Sequence, residues 1–186
     1  MAETFEFELV FDLPEGDHDP IDLSNAVFEA GFEDALVGTG VAGLLGVELE
    51  TEGEEAEAVI VETARALIKA LPEGTKLREV HPDLVSLADV AGKLNIKRQA
   101  LQKRTMPHPN RAGLYRIEEI AAALHTAATP EPGGRRPRFN VGAIEKWLRA
   151  GVAARIVNAK LTTSELDPLS IQYVPRDRDD DKRAAS

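Results

Sequence analysis

The chain has 186 residues, contains no cysteine and carries a formal net charge of −10 at pH 7. The lack of cysteine excludes disulfides and thiolate metal sites and favours a cytoplasmic protein. The first ten residues lack a basic region followed by a long apolar run, and no stretch approaches the ~20 apolar residues of a membrane span, so neither a secretory leader nor a membrane partner is predicted.

Charge is distributed unevenly along the chain. Residues 1–83 hold 21 acidic and 4 basic side chains, whereas residues 84–160 hold 5 acidic and 14 basic ones. Residues 161–186 hold 6 acidic and 4 basic side chains and are predicted to form a largely disordered tail. We therefore predict an acidic domain (1–83), a basic domain (84–160) and a tail (161–186), with different partners for the two domains.

The acidic segment has the pattern of a small α+β domain. Residues 4–12 alternate apolar and acidic side chains, which predicts a half-buried strand. Apolar positions at helical spacing and short alternating runs predict two helices and three further strands, at 22–30, 35–37, 44–50, 54–71 and 75–80. The predicted order of strand, helix, strand, strand, helix, strand is the split βαβ arrangement, which resembles ferredoxin-like domains.

Three motifs in this segment suggest chemistry at first sight. Gly38, Gly40 and Gly43 spell GxGxxG, but the motif leads into a strand and not a helix, so a hairpin turn is predicted instead of a dinucleotide site. The four histidines are far apart, which argues against a metal site. The dense acidic run 48–57 is typical of a solvated face. No catalytic residue, metal or cofactor is predicted, and the chain is not expected to be an enzyme.

The basic segment begins with a helix-turn-helix pattern. Leu87, Val90, Ala91 and Leu94 lie on one helical face, and Ser86 with Asp89 forms a capping-box-like start. Asn95 tolerates the left-handed conformation and can turn the chain. A second helix from about Lys97 is predicted to face inward through three apolar residues, Ile96, Ala100 and Leu101.

The outer face of this second helix suits the major groove of DNA. Arg pairs with guanine, Gln with adenine, and Lys neutralises phosphate. The predicted recognition helix spans Lys97–Arg104, and its candidate contacts are Lys97, Arg98, Gln99, Gln102, Lys103 and Arg104. The alternative is a plain helical hairpin with a solvated basic face.

This segment resembles the helix-turn-helix of MerR-like and excisionase-like DNA-binding proteins. Small Ala91 matches the close crossing of the two helices in that family, while Asn95 replaces the usual turn glycine and Lys97 replaces the usual Ser or Thr cap. The resemblance covers about the central third of the chain. Both RIEEI and RFNVGAIEKWL resemble the closing helix of the family, and the two alignments stay open.

Further basic residues follow the pattern. Arg111 and Arg116 lie around a possible short strand or wing at 114–116, ahead of a predicted helix at 117–126. Arg135, Arg136 and Arg138 sit in a glycine- and proline-rich loop that could enter a narrow minor groove or remain a solvated loop. A last helix is predicted at 139–150, capped by Asn140, ended or kinked by Gly151, with Trp147 in the core.

These observations favour a sequence-specific DNA-binding transcriptional regulator that binds double-stranded DNA. Because one such module reads few base pairs, a homodimer is expected, with residues 1–83 as the more favourable dimer interface. An alternative is a protein-binding adaptor of the antitoxin or anti-activator type, whose acidic domain binds a basic protein. A third hypothesis is an accessory of a DNA-modifying enzyme, supported by the DNA contact alone.

Overall fold

The computed structural model describes residues 1–129 and 139–175, and these form an α+β fold as predicted. The strands are β1 (Glu3–Asp12), β2 (Leu36–Gly38), β3 (Leu44–Gly53), β4 (Lys76–His81), β5 (Leu84–Ser86) and β6 (Leu114–Arg116). The helices are α1 (Pro20–Glu29), α2 (Ala56–Ala70), α3 (Leu87–Lys93), α4 (Arg98–Gln102), α5 (Ile117–Ala128) and α6 (Glu145–Thr162), the last preceded by a 3₁₀ turn at Val141–Ile144. None of the described helices combines the length and apolar character that a membrane span requires.

A four-stranded antiparallel sheet organises the acidic segment, with the strand order β2-β3-β1-β4. The alternation of β1 is confirmed, since Phe7, Leu9 and Phe11 are fully buried on one face of the sheet. They join residues of α1 and α2 in the first of two apolar cores. The other face of β1 carries Glu6 and Glu8, so the same strand builds a core and an acidic surface.

The glycine motif forms a hairpin, as predicted. Strands β2 and β3 are antiparallel neighbours, with Gly38 paired to Gly46, and the chain turns between them. Gly43 has φ 78°, a left-handed conformation that glycine adopts without strain. Its carbonyl accepts a hydrogen bond from Leu13 N at 2.8 Å, which ties the turn to the end of β1.

Helix α6 joins the two apolar cores, and the prediction that Gly151 ends or kinks it was wrong. The helix continues from Glu145 to Thr162. Trp147 belongs to the second core, with residues of α3, α4 and α5, whereas Ala154 and Val157 belong to the first. Gly151 lies where α5 crosses, and a Cβ there would be 2.0 Å from Ile117 Cγ2. The glycine is needed for close packing and not for a bend.

The predicted disordered tail was wrong for residues 161–175. Leu166 and Ile171 are fully buried in the first core. The Pro168 carbonyl accepts a hydrogen bond from Leu77 N at 2.9 Å, and the Arg65 guanidinium donates to the Ile171 carbonyl at 2.8 Å. Helix α6 and the segment after it therefore complete the core of the acidic sheet, so this core includes residues on both sides of position 160. Residues 176–186 lie outside the described residues.

The acidic face of the sheet is stabilised by cations from the basic segment. Glu6 lies directly opposite Glu50, and Glu8 opposite Glu48, an arrangement of like charges that destabilises a strand pair. The Lys93 ammonium, in the last turn of α3, donates to Glu6 and, at 2.5 Å, to Glu48 Oε1. Lys146 Nζ lies 2.6 Å from Glu50, and His81 Nδ1, which belongs to the acidic segment itself, lies 3.2 Å from Glu8.

The pKa values of these groups follow from the contacts. Burial alone would lower the pKa of the Lys93 ammonium, but its hydrogen bonds to Glu48 and Glu6 outweigh burial and raise it. The hydrogen bond from His81 lowers the pKa of the Glu8 carboxyl and raises that of the His81 imidazole. Each shift favours the charged form of its group, so these contacts and the charges they join stabilise one another.

Gly151→Ala should destabilise the protein. We expect a loss of about 1–3 kcal/mol in the free energy of unfolding, because the new methyl group would overlap Ile117 in a packed core. The matched control is Gly92→Ala, also in a helix but with open space around its Cβ. It should gain about 0.5–1 kcal/mol from helix propensity. Urea denaturation measures the free energy of unfolding of both variants. Equal changes in Gly151→Ala and Gly92→Ala would contradict the packing argument.

Lys93→Met should also destabilise the protein, by about 1–3 kcal/mol, because Glu6 and Glu48, diagonal neighbours on the paired strands β1 and β3, lose their shared cation. The side chain of Lys93 is only 30% exposed, so solvent cannot fully replace the lost pairs. Lys103→Met, which removes an exposed cation with no ion pair among the described residues, should change stability by less than about 0.5 kcal/mol. Adding Glu48→Gln to Lys93→Met should restore part of the loss. If the free-energy changes of Lys93→Met and Glu48→Gln simply added in the double variant, the two side chains would not be energetically coupled.

Candidate nucleic-acid interface

The start of α3 is fixed by a reciprocal capping box. Ser86 Oγ accepts a hydrogen bond from Asp89 N at 3.2 Å, and Asp89 Oδ2 accepts one from Ser86 N at 2.8 Å. The sequence predicted this arrangement, although Asp is shorter than the Glu or Gln usually found at the third position. Leu87, Val90 and Ala91 are buried, so the cap sets which face of α3 meets the second core.

The turn after α3 places α4. Asn95 has φ 52°, the left-handed conformation predicted for it, and Ile96 N donates to the Ala91 carbonyl at 2.9 Å. This bond closes the end of α3 and reverses the chain within Leu94–Lys97. Lys97 caps α4 without a side-chain hydrogen bond, consistent with the absence of a Ser or Thr there.

Helix α4 is shorter than the predicted recognition helix. It contains only five residues, Arg98–Gln102, with Lys103 at its carboxyl end and Arg104 beyond it. Leu101 is fully buried and anchors the helix, with Ile96 partly buried against the same core. Ala100 was predicted to face inward but is exposed, because a single turn offers room for one inward side chain.

All the polar residues predicted on this segment are exposed, namely Lys97, Arg98, Gln99, Gln102, Lys103 and Arg104. The Arg104 guanidinium lies 5.4 Å from the centre of the Phe139 ring, a cation–π contact that links the end of α4 to the start of the last helical segment. Arg135, Arg136 and Arg138, predicted as a basic arm, lie outside the described residues.

The predicted wing is a small hairpin turn at residues 111–114, beside α4 and leading into β6. Strand β6 pairs antiparallel with β5, which precedes α3 in the chain, and this confirms the expected short strand at 114–116. Leu114 N donates to the Arg111 carbonyl at 2.7 Å, and both intervening residues have positive φ, 43° at Ala112 and 81° at Gly113. This two-residue turn fits the twist of a hairpin. The side chains of Arg111 and Arg116 are exposed.

A groove of about 600 Å³ separates the hairpin from α4. Three of the predicted contact residues, Arg98, Gln102 and Arg104, line one side of it, and Met106, Gly113 and Tyr115 are among the residues on the other. The remaining predicted residues of this set are exposed outside the groove. Met106 and Tyr115 were not predicted from the sequence. The turn-forming Ala-Gly pair in residues 111–115, RAGLY, was the available signal that this segment folds back beside α4.

The cations of the basic segment fall into two groups. Those on α6 and at the end of α3 are paired with carboxylates, for example Lys160 with Glu57 and Arg155 with Glu118 at 3.1 Å. Those around α4 and the hairpin form no ion pair within residues 1–129 and 139–175, and they are Lys97, Arg98, Lys103, Arg104, Arg111 and Arg116. The surface of α4 and the hairpin can therefore attract polyanions without first breaking internal pairs.

Trp147, the only tryptophan, is buried in the second core and lies under the Lys93 ammonium, whose nitrogen is 5.9 Å from the ring centre. Its predicted core role is confirmed. Comparison with known proteins found no matching family model, curated protein or solved structure.

Proposed function

We propose that the protein is a sequence-specific DNA-binding transcriptional regulator that uses Lys97–Arg104 as its recognition element. The observation that carries this proposal is the segregation of charge within the basic segment. Six exposed cations around α4 and the hairpin turn that leads into β6 lack carboxylate partners among the described residues, whereas their neighbours on α6 are paired. Unpaired cations on one surface supply the sequence-independent part of DNA affinity.

The local geometry supports assigning α3 and α4 as a helix-turn-helix of MerR-like or excisionase-like type, with the hairpin as its wing. The two helices are joined by a tight left-handed turn at Asn95, and the second presents Arg98 and Gln99 outward. The strand order β2-β3-β1-β4, with two helices contributing to one core, supports a ferredoxin-like assignment for the acidic sheet. A cytoplasmic location is part of the same proposal.

Each side chain has a role that its chemistry suits. Arg98 can donate two hydrogen bonds to guanine, and Gln99 can exchange two with adenine. Lys97 and Lys103, at the two ends of α4, are suited to phosphates, as are Arg111 and Arg116 on the hairpin. A plain helical hairpin with a solvated basic face would have the same exposure but no preference among DNA sequences.

We further propose that the protein acts as a homodimer on DNA. A five-residue helix reaches only a few base pairs, so two copies on adjacent half-sites would be needed for a specific site. Light scattering during size exclusion, with and without DNA, tests this. A protein mass of one 20.2 kDa chain, both for the free protein and within its complex with DNA, would contradict it.

Arg98→Ala and Gln99→Ala should each weaken the preference for a specific site by about 1–3 kcal/mol. The test uses a sequence selected by the wild-type protein from random duplexes, compared with a shuffled duplex in gel-shift titrations. Arg78→Ala is the matched control, since it removes an exposed arginine of β4 on the acidic sheet and should leave the preference unchanged.

Equal losses on selected and shuffled DNA would show that Arg98 and Gln99 contact phosphate and not bases. Failure of the selection to enrich any sequence would count against the regulator itself. Both variants change exposed side chains, so circular dichroism should show an unaltered fold.

A further inference from the structure

We propose that the outer edge of β2 is a docking site for an extended segment of a partner protein whose residues alternate between apolar and basic. This second activity goes beyond DNA binding and uses the opposite half of the chain. It rests on three features that meet at β2: an open backbone edge, an apolar groove on one side and an acidic concavity on the other.

The backbone edge of β2 is open. Strand β2 ends the sheet, and among residues 1–129 and 139–175 no other strand pairs with its outer side. The opposite edge, at β4, is covered, because the Asn158 side chain accepts from Val80 N and donates to the Val80 carbonyl, both at 2.8 Å. Proteins protect exposed edges by keeping them short or by placing proline or charge there; β2 has only three residues, but its sequence, Leu-Val-Gly, contains neither proline nor charge.

A groove of about 420 Å³ lies beside β2 on the helical side of the sheet, and its lining is mainly apolar although Ser24, Asn25 and Glu33 also belong to it. Val37 is opposite Val47, whose side chain is in the core, so Val37 faces the helices. Phe28 of α1, which is 54% exposed, and Phe32 of the following loop line this apolar groove.

On the other side of β2 lies an acidic concavity of about 440 Å³. Leu36 is opposite Glu48 and therefore faces this side, where it is 69% exposed. Five carboxylates line the concavity, those of Glu6, Glu33, Asp34, Glu48 and Glu50. Lys93 and Lys146 pair with three of them, while Glu33 and Asp34 have no ion pair among the described residues.

These surroundings specify the chemistry of the added strand. Successive side chains of a strand point to opposite faces, so a segment hydrogen-bonded to β2 would place alternate residues in the apolar groove and in the acidic concavity. Strand β1 satisfies the same two faces with apolar and acidic residues, and its acidic face needs cations. The partner segment should therefore alternate Val, Ile or Leu with Lys or Arg.

A second copy of this chain fits the site poorly. Residues 20–43, which contain α1, the loop and β2, hold four acidic residues and no lysine or arginine. Pairing β2 with another β2 would bring further carboxylates and no cation to the concavity. Charge complementarity therefore favours a different, basic partner.

The experiment measures peptide binding to the full-length protein by fluorescence anisotropy. The probe is a labelled peptide of about eight residues with alternating Lys and Val. One control peptide replaces Lys by Glu, and another has the probe's composition with all lysines grouped together. We expect the alternating probe to bind at least about tenfold more tightly than both controls at ~0.15 M salt. Equal binding of the grouped peptide would overturn the proposal, because it would show unspecific charge attraction.

Variants locate the site. Leu36→Lys should weaken binding at least about tenfold, because it places a cation in the concavity and on the strand edge. Leu169→Lys is the matched control, since Leu169 is 45% exposed and lies near the opposite edge. Glu33→Lys with Asp34→Lys should also weaken binding, whereas Glu73→Lys, in the turn before β4, should not.

A backbone measurement covers the case in which Leu36→Lys disturbs the fold. In the wild-type protein, the bound probe should slow hydrogen exchange of amides within Leu36–Gly38. Protection confined to α4 and the hairpin, or no protection, would overturn the assignment. The assignment would also be overturned if the wild-type protein were a dimer, Leu36→Lys made it a monomer, and the probe bound neither form. That result would identify a second copy as the occupant. None of these readouts involves DNA, so they are independent of the proposed regulator function.

Discussion

The Lys93 ammonium, held between Glu6 and Glu48, ties α3 to the acidic sheet, in addition to helix α6, which enters both apolar cores. The central strands put glutamates directly opposite one another, an arrangement that costs stability unless cations lie over it. Lys93 comes from the last turn of α3 and Lys146 from the first turn of α6. The acidic sheet therefore needs the basic segment, and that segment is positioned where the carboxylates are.

The charge imbalance of the sequence has two different uses in the structure. Some cations of the basic segment pair with carboxylates of residues 1–83, namely Lys93, Lys146, Arg149 and Lys160. Six others surround α4 and the hairpin without ion pairs among the described residues, namely Lys97, Arg98, Lys103, Arg104, Arg111 and Arg116. A uniform basic surface would attract DNA in many orientations, whereas pairing the cations of α6 leaves one basic surface. Under the proposed DNA binding, the glutamates that pair with cations elsewhere would restrict a polyanion to the surface where cations remain unpaired.

Sequence reasoning succeeded where the cause was local. The alternation of β1, the Ser86–Asp89 capping box and the left-handed Asn95 depend on residues within a few positions of one another, and all three were predicted. It failed where a distant partner decides. The sequence around Gly151 is the same whether the glycine ends a helix or allows Ile117 to pack closely against it. Likewise, nothing in the sequence near Leu166 or Ile171 indicates that a sheet more than 80 residues earlier in the chain would bury them. Within the candidate interface the residue types were predictable, but the groove between α4 and the hairpin was not, since it depends on tertiary packing.

Glu48 connects the two ends of the molecule. Its carboxylate lines the acidic concavity beside β2 and also accepts the hydrogen bond from Lys93, five residues before α4 begins at Arg98. Helix α4 has one fully buried anchor, Leu101, so its placement relies on α3 and on the turn at Asn95. A cation brought to the concavity by a partner strand would share Glu48 with Lys93 and weaken the tie between α3 and the sheet. By thermodynamic reciprocity, whatever holds α3 and α4 in one position would then change affinity at the β2 edge by the same factor. A carboxylate shared between two cations is thus a physical route by which occupation of the acidic half could alter the basic surface, without any contact between the two ligands.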